Sequence, residues 1–247
     1  MFPPPPPPPQ GYYWNWCNAS AVDYYINTVL RSLVADAKGT PYDFDGVFLD
    51  NANDFNPHGS SNAHCDKNAA VSAVHIQTGK LFQKYKKWPM FSSTGGAPDP
   101  ATMWKAGVGY TKFYEYFVNS LSSMQELYAD TQMGLPTTVH APTAVRRHGS
   151  VSLNGALAAF LVAAGDATHS YFQYSAANWV VDASWKWSAL YDTEYGAPLG
   201  PPKITTYGPN GTGQVWERRF KNGYTARVNC TPPDDRQFFC PGDVTKD

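Results

Sequence analysis

The 247 residues carry 19 Lys and Arg against 20 Asp and Glu, a net charge of -1, with charged residues at only 16% and aromatics at 15%. That much apolar and aromatic side chain over this length excludes a disordered chain, and the lack of basic excess removes the electrostatic footprint a phosphate backbone requires, so no nucleic-acid partner is expected. The longest apolar run, Leu157 to Ala164, is far short of the roughly 20 residues that span a bilayer, so no membrane association is expected either.

Met1-Phe2 leads directly into Pro3 to Pro9 with neither a basic start nor an apolar h-region, so the chain reads as a mature segment or a fragment. Consecutive prolines favour a polyproline II rod with no N–H groups, rising about 3.1 Å per residue. Residues 1–11 are therefore expected to be a stalk or linker, with self-assembly or a partner chain docking on Pro3 to Pro9 as the sharper alternative.

Tyr12 to Trp16 predicts a short aromatic strand. Ala21 to Ala37 predicts a helix, with Val22, Tyr25, Ile26, Val29, Leu30 and Leu33 at helical spacing, Asn18 or Ser20 as its cap, and Gly39 and Pro41 as its stop. Phe44 to Asp50 follows as a buried strand, Asp66 to Lys86 as a helix and Pro89 to Thr94 as a strand ended by Gly95-Gly96. Thr111 to Phe117 (strand), Ser120 to Gln132 (helix), Pro136 to His140 (strand), Ser152 to Ala164 (helix) and His169 to Tyr174 (strand) continue the alternation.

Strict alternation implies parallel strands joined by right-handed crossovers, an α/β fold with helices outside the sheet. The first strand leads into Cys17-Asn18-Ala19-Ser20 rather than a Gly-rich turn, so no dinucleotide cofactor is expected. Polar residues gather just after the strands (Asp50-Asn51-Ala52-Asn53-Asp54, Ser92-Ser93-Thr94, Glu115, His140, Gln173), as they do at the active face of a (β/α)8 barrel. Residues 12–194 are thus expected to form a partial barrel of about six βα units. Missing sequence, a partner chain or nothing at all would supply the opening units.

Past Tyr195 the composition turns to proline, glycine and short strands: Pro201 to Tyr207, Gln214 to Phe220, and Tyr224 to Asn229 across the Asn222-Gly223 hairpin signal. Residues 195–247 read as a small antiparallel β appendix. Within it Cys230 and Cys240 are close enough in sequence to be the first choice for one disulfide, leaving Cys17 with Cys65. An even cysteine count without a CxxC pair, and N-x-S/T sequons at Asn18, Asn210 and Asn229, point to an extracellular glycoprotein.

The segment Tyr42-Asp43-Phe44-Asp45-Gly46-Val47-Phe48-Leu49-Asp50-Asn51 closes a buried strand on a carboxylate, and Glu115 closes another two units later. Paired carboxylates on one face are what glycosidic cleavage needs, one holding a proton and one holding charge, although a rim Asp can equally cap the following loop or helix. Asn51, Asp54, His140 and Gln173 are the expected substrate-binding polar groups. Trp179, Trp185 and Trp187, which follow the last strand, are the tryptophans placed to stack on sugar faces. His58 and His64 lie in an Asp- and Asn-rich loop without the glycine of a calcium loop, and no metal is expected. Arg146-Arg147 fits a solvated turn, or contact with an acidic sugar.

Asp45-Gly-Val-Phe-Leu-Asp-Asn, Ser93-Thr-Gly-Gly, Tyr114-Glu-Tyr-Phe, Glu194-Tyr-Gly-Ala-Pro-Leu-Gly and Val215-Trp-Glu-Arg-Arg-Phe-Lys-Asn-Gly, in that order, resemble the hypothetical glycosyl hydrolase-like barrels of family 15 type. These are secreted or wall-associated proteins distantly similar to α-amylase-type enzymes. The resemblance runs from about Tyr12 to Asn229. It implies that Asp50 matches the acidic residue closing the fourth barrel strand, Glu115 that of the sixth, and Tyr12 to Trp16 the third strand, with the first two βα units absent. The expected function is therefore a secreted glycoside hydrolase-like protein acting on or binding a polysaccharide. The alternative is a non-catalytic structural glycoprotein that assembles into a wall or filament through its proline-rich segment.

Overall fold

A computed structural model describes residues 16–49, 66–92, 100–115, 117, 120–142, 144–145, 149–150, 152–164, 169–175, 187–208, 213–230 and 240–246. The chain divides into two compact units, Met1–Pro89 with Gly95–Gly109, and Met90–Thr94 with Tyr110–Asp247. The polyproline segment and the strand expected at Tyr12 to Trp16 lie outside the described residues, apart from Trp16, which sits in a turn and is buried.

In the first unit, Asn18 opens the helical run by accepting the N–H groups of Ser20 and Ala21 on its side chain. The run comprises α1 (Ala19–Tyr24), a π-helical stretch (Tyr25–Leu30) and α2 (Arg31–Val34). Its buried residues, Val22, Ile26, Leu30 and Val34, are four apart. A four-residue repeat drifts by about 40° per step around an ordinary α-helix, and the wider π turn takes up that drift and keeps the stripe on one core. The helix ends at Val34 rather than at the expected Ala37. Ala35 is extended, and the Asp36 carboxylate gathers the N–H groups of Lys38 and Thr40 at 2.9 and 2.8 Å around Gly39 at φ +86°. Those backbone donors, Thr40 foremost, hold the Asp36 carboxyl below the usual carboxylate range.

The helical run packs on α3 (Lys67–Lys84) through Val74, Leu81, Phe82 and Tyr85, with Arg31 Nε donating to Tyr85 Oη at 3.2 Å. Asp66 caps α3 by accepting the Ala69 N–H at 3.1 Å. At the other end Lys86 stands at φ +56° while the Lys87 N–H returns to the Phe82 carbonyl at 2.8 Å. A short helix missing from the sequence expectation, α4 (Pro100–Lys105), precedes Val108, whose methyl group occupies the space a Cβ on Gly79 would need.

The strands β1 (Gly46–Leu49), β2 (Trp88–Ser92), β3 (Thr111–Tyr114), β4 (Thr137–Pro142) and β7 (Ser170–Ser175) form a five-stranded sheet in the order β1-β2-β3-β4-β7, with parallel pairing from β2 through β7. A two-stranded ladder, β5 (Ala144–Val145) with β6 (Gly149–Ser150), follows β4 and was not anticipated. β3 ends at Tyr114, short of the expected Phe117, because the chain turns at Glu115.

In the second unit, α5 (Leu121–Gln132) is capped by Ser120, and α6 (Leu153–Ala164) by Ser152, which accepts the Gly155 N–H at 3.1 Å. Met124 and Leu127 of α5, together with Ala156, Ala159 and Val162 of α6, pack on Val139 and Ala141 of β4. β8 (Lys203–Tyr207), β9 (Gly213–Arg219), β10 (Tyr224–Cys230) and the unanticipated β11 (Gly242–Lys246) form a four-stranded antiparallel sheet. α6 is buried on most of its circumference because it touches α5, β4 and β7 as well as β9, β10 and β11. Its alanines permit that approach: a Cβ added to Gly242 of β11 would lie 3.1 Å from the Ala158 methyl. As expected, Cys230 is disulfide-bonded to Cys240, with Cα atoms 4.5 Å apart, tying β10 to the start of β11. Cys17 is also disulfide-bonded, and its expected partner Cys65 lies outside the described residues.

Candidate active site

Strand alternation decides which side chains meet. On β3, Lys112 and Tyr114 face α5. Lys112 Nζ bonds Asp130 at 2.6 Å and Glu126 at 2.7 Å, and the Tyr114 hydroxyl donates to Asp130. Burial and the Asp130 charge push the Tyr114 hydroxyl far above the usual phenol range. Phe113 therefore occupies the opposite face, where its ring stacks on His140 of β4 at 6.4 Å and 7°. Ser92, the last residue of β2, is the register partner of Phe113 and shares that face. On β7, Phe172 and Tyr174 pack toward the helices, which turns Tyr171, Gln173 and Ser175 to the face that carries His140.

Four consecutive strands thus bring polar groups to their C-terminal ends on one face of the second unit. Glu115, the first residue after β3, accepts a hydrogen bond on Oε2 from Ser92 Oγ at 3.2 Å. His140 Nε2 lies 2.7 Å from Ser175 Oγ. The imidazole is fully buried, and desolvation lowers its pKa to about 4, so the ring is neutral at pH 7. The neutral ring either accepts a hydrogen bond from the serine hydroxyl at Nε2 or donates one to it, according to tautomer, and either arrangement fixes the imidazole beside Phe113. Gln173, the register partner of His140, is exposed.

Of the residues expected from sequence, Glu115, His140 and Gln173 come to this rim. Asp50, Asn51, Asp54, Trp179 and Trp185 lie outside the described residues. Ser175 was missed because a serine ending a strand carries no local signature; only the pairing of β4 with β7 places it under His140. Among the described residues no group of three or more His, Cys, Asp or Glu gathers to hold a metal ion. Asn18 and Asn229 are exposed, and each uses its side-chain oxygen as an acceptor, Asn18 at the α1 cap and Asn229 for the Tyr207 hydroxyl at 2.5 Å. Asn210 lies outside the described residues. A cleft lined by Arg227, Asn229, Pro241, Gly242 and Asp243 sits on β10 and β11 rather than on the rim strands.

A parallel sheet backed by helices, with a carboxylate and a buried imidazole at adjacent strand ends, defines an α/β protein whose polar site lies where parallel strands finish. The model of the family described as hypothetical glycosyl hydrolase family 15 matches residues 4–224, and the chain belongs to that family. A search among curated proteins gives no match.

Proposed function

We propose that the chain is a secreted glycoside hydrolase that acts on a polysaccharide through two carboxylates, Glu115 and Asp50. The observation that carries this reading is Glu115 at the end of a parallel strand, held by Ser92, in a member of a glycosyl hydrolase family. One carboxyl group protonates the leaving oxygen while the other supports the developing positive charge. The barrel reading assigns residues 12–194 to a partial (β/α)8 plan and residues 195–247 to an appendix. Asn51, Asp54, His140, Gln173, Trp179 and Trp185 line the sugar site in that plan. Disulfides at Cys17 and at Cys230–Cys240, with exposed sequon asparagines at Asn18 and Asn229, support an extracellular setting.

The test is release of reducing ends from a panel of soluble polysaccharides by wild type, Glu115→Gln and Asp50→Asn. Each amide keeps the shape but can neither give a proton nor hold charge, so each is expected to lower the rate by at least about 100-fold with the fold intact. Wild-type rates in both variants would refute the assignment. A scaffold role, with Pro3 to Pro9 mediating assembly, is favoured by one observation: among the described residues the parallel sheet ends at two edge strands, β1 and β7. Under that reading, removing residues 1–11 lowers the sedimenting mass and no substrate is cleaved.

A further inference from the structure

Trp187 is the most exposed tryptophan among the described residues, at 61%, yet it is held firmly. Its indole Nε1–H donates to Asp192 Oδ2 at 2.8 Å, and its ring lies against Tyr191 with centroids 4.8 Å apart at 34°. Tyr191 continues inward to Phe172 at 6.3 Å, and Phe172 to Phe160 of α6 at 5.3 Å. Four tilted rings therefore run from the core to the surface. The turn that carries them is closed by the Tyr191 N–H on the Ser188 carbonyl and the Asp192 N–H on the Ala189 carbonyl, at 3.0 and 3.1 Å.

The ladder is anchored to the backbone of β7 through its second ring. The Tyr191 hydroxyl accepts from the Tyr174 N–H at 3.1 Å and donates to the Tyr174 carbonyl at 3.2 Å. Tyr174 precedes Ser175, which holds His140. An exposed indole whose orientation is set before any ligand arrives loses little further freedom on binding, and a flat ring beside a carboxylate matches a ligand with one apolar C–H face and hydroxyls at its edge.

We propose that Trp187, braced by Tyr191 and Asp192, is a stacking platform for a pyranose unit of the polysaccharide, beside β7 on the side of the sheet that Phe172 faces. This rests on the glycan-active reading of the Glu115 site and adds a sugar-binding surface outside it. The ligand class is a polymer whose sugar rings present a continuous C–H face, as β-linked glucose, xylose or galactose units do.

The probes are soluble tetra- to hexasaccharides of β-linked glucose, xylose and galactose, titrated calorimetrically into the full chain. Wild type and Glu115→Gln are expected to bind at least one of them alike, Trp187→Ala about tenfold more weakly or worse, and Trp187→Phe within a few-fold of wild type. The bound sugar should also protect Trp187 in the wild-type protein from N-bromosuccinimide oxidation, read by peptide mass spectrometry, which does not depend on how any variant folds. Undiminished affinity in Trp187→Ala, or oxidation of Trp187 unaffected by a bound sugar, overturns the platform and leaves the hydrolase reading standing. Wild type that neither binds nor cleaves any of the probes overturns both.

Discussion

At the scale of single residues, His140 couples stability to pH. Its ring is buried and neutral in the native state with a pKa of about 4, whereas in the unfolded chain it titrates near its ordinary value of 6.5. Between those values the unfolded state binds more protons, so the contribution is fully present above about pH 6.5 and is lost as pH falls through about 4. Urea midpoints should drop over that window in wild type and fall less steeply in His140→Gln, which keeps a polar partner for Ser175 but has no titrating ring. Equal slopes in the two proteins would refute this. Asp36, whose carboxyl is held low by backbone donors, loses its contribution only in stronger acid, which separates the two effects. Glu115 and His140 were legible because each is a polar residue closing an apolar run. Their partners Ser92 and Ser175 come from other strands, and local pattern does not report which strand end will face which.

At the scale of elements, the end of α3 offers a direct test of backbone conformation. Lys86 occupies the left-handed region at a helix C-terminus where glycine is the usual residue, and its side chain is exposed. Lys86→Gly should raise stability by about 1 kcal/mol, seen as a higher urea midpoint at unchanged slope. Helices α5 and α6 could be read from sequence because Ser120 and Ser152 announce their starts and their apolar faces are long. α4 could not, having only six residues, and β11 could not, because Gly242-Asp-Val-Thr-Lys246 contains one large apolar side chain. The π turn escaped notice because its four-residue spacing also fits an ordinary helix. On the antiparallel sheet, register places Lys203 opposite Glu217, Glu217 opposite Arg227, and Arg227 opposite Asp243, so each charge has neighbours of opposite sign. Lys203 and Lys246 stand on the two edge strands, where a charge discourages pairing with another chain.

At the scale of the whole molecule, the family match ends at Tyr224, the first residue of β10, so β11 and the Cys230–Cys240 bridge lie beyond it. Replacing both cysteines with serine should lower stability by about 3 kcal/mol, the order expected for so short a loop, with an earlier urea midpoint as the readout. The parallel α/β plan was visible in the alternation of periods, whereas the division into two units was not, since its boundaries fall inside one continuous series of βα repeats. That division makes the first unit discontinuous: residues 95–109 belong to it, while residues 90–94 belong to the second. Val108 fills the notch over Gly79, so α3 is synthesised roughly thirty residues before the side chain that seats on it, a lag of a few seconds at ribosomal speed. During that interval the nascent chain presents the notch without its occupant, and the packing of the first unit is completed only once residues 95–109 have been made. A ribosome stalled before Val108 would therefore hold α3 with the groove at Gly79 uncovered.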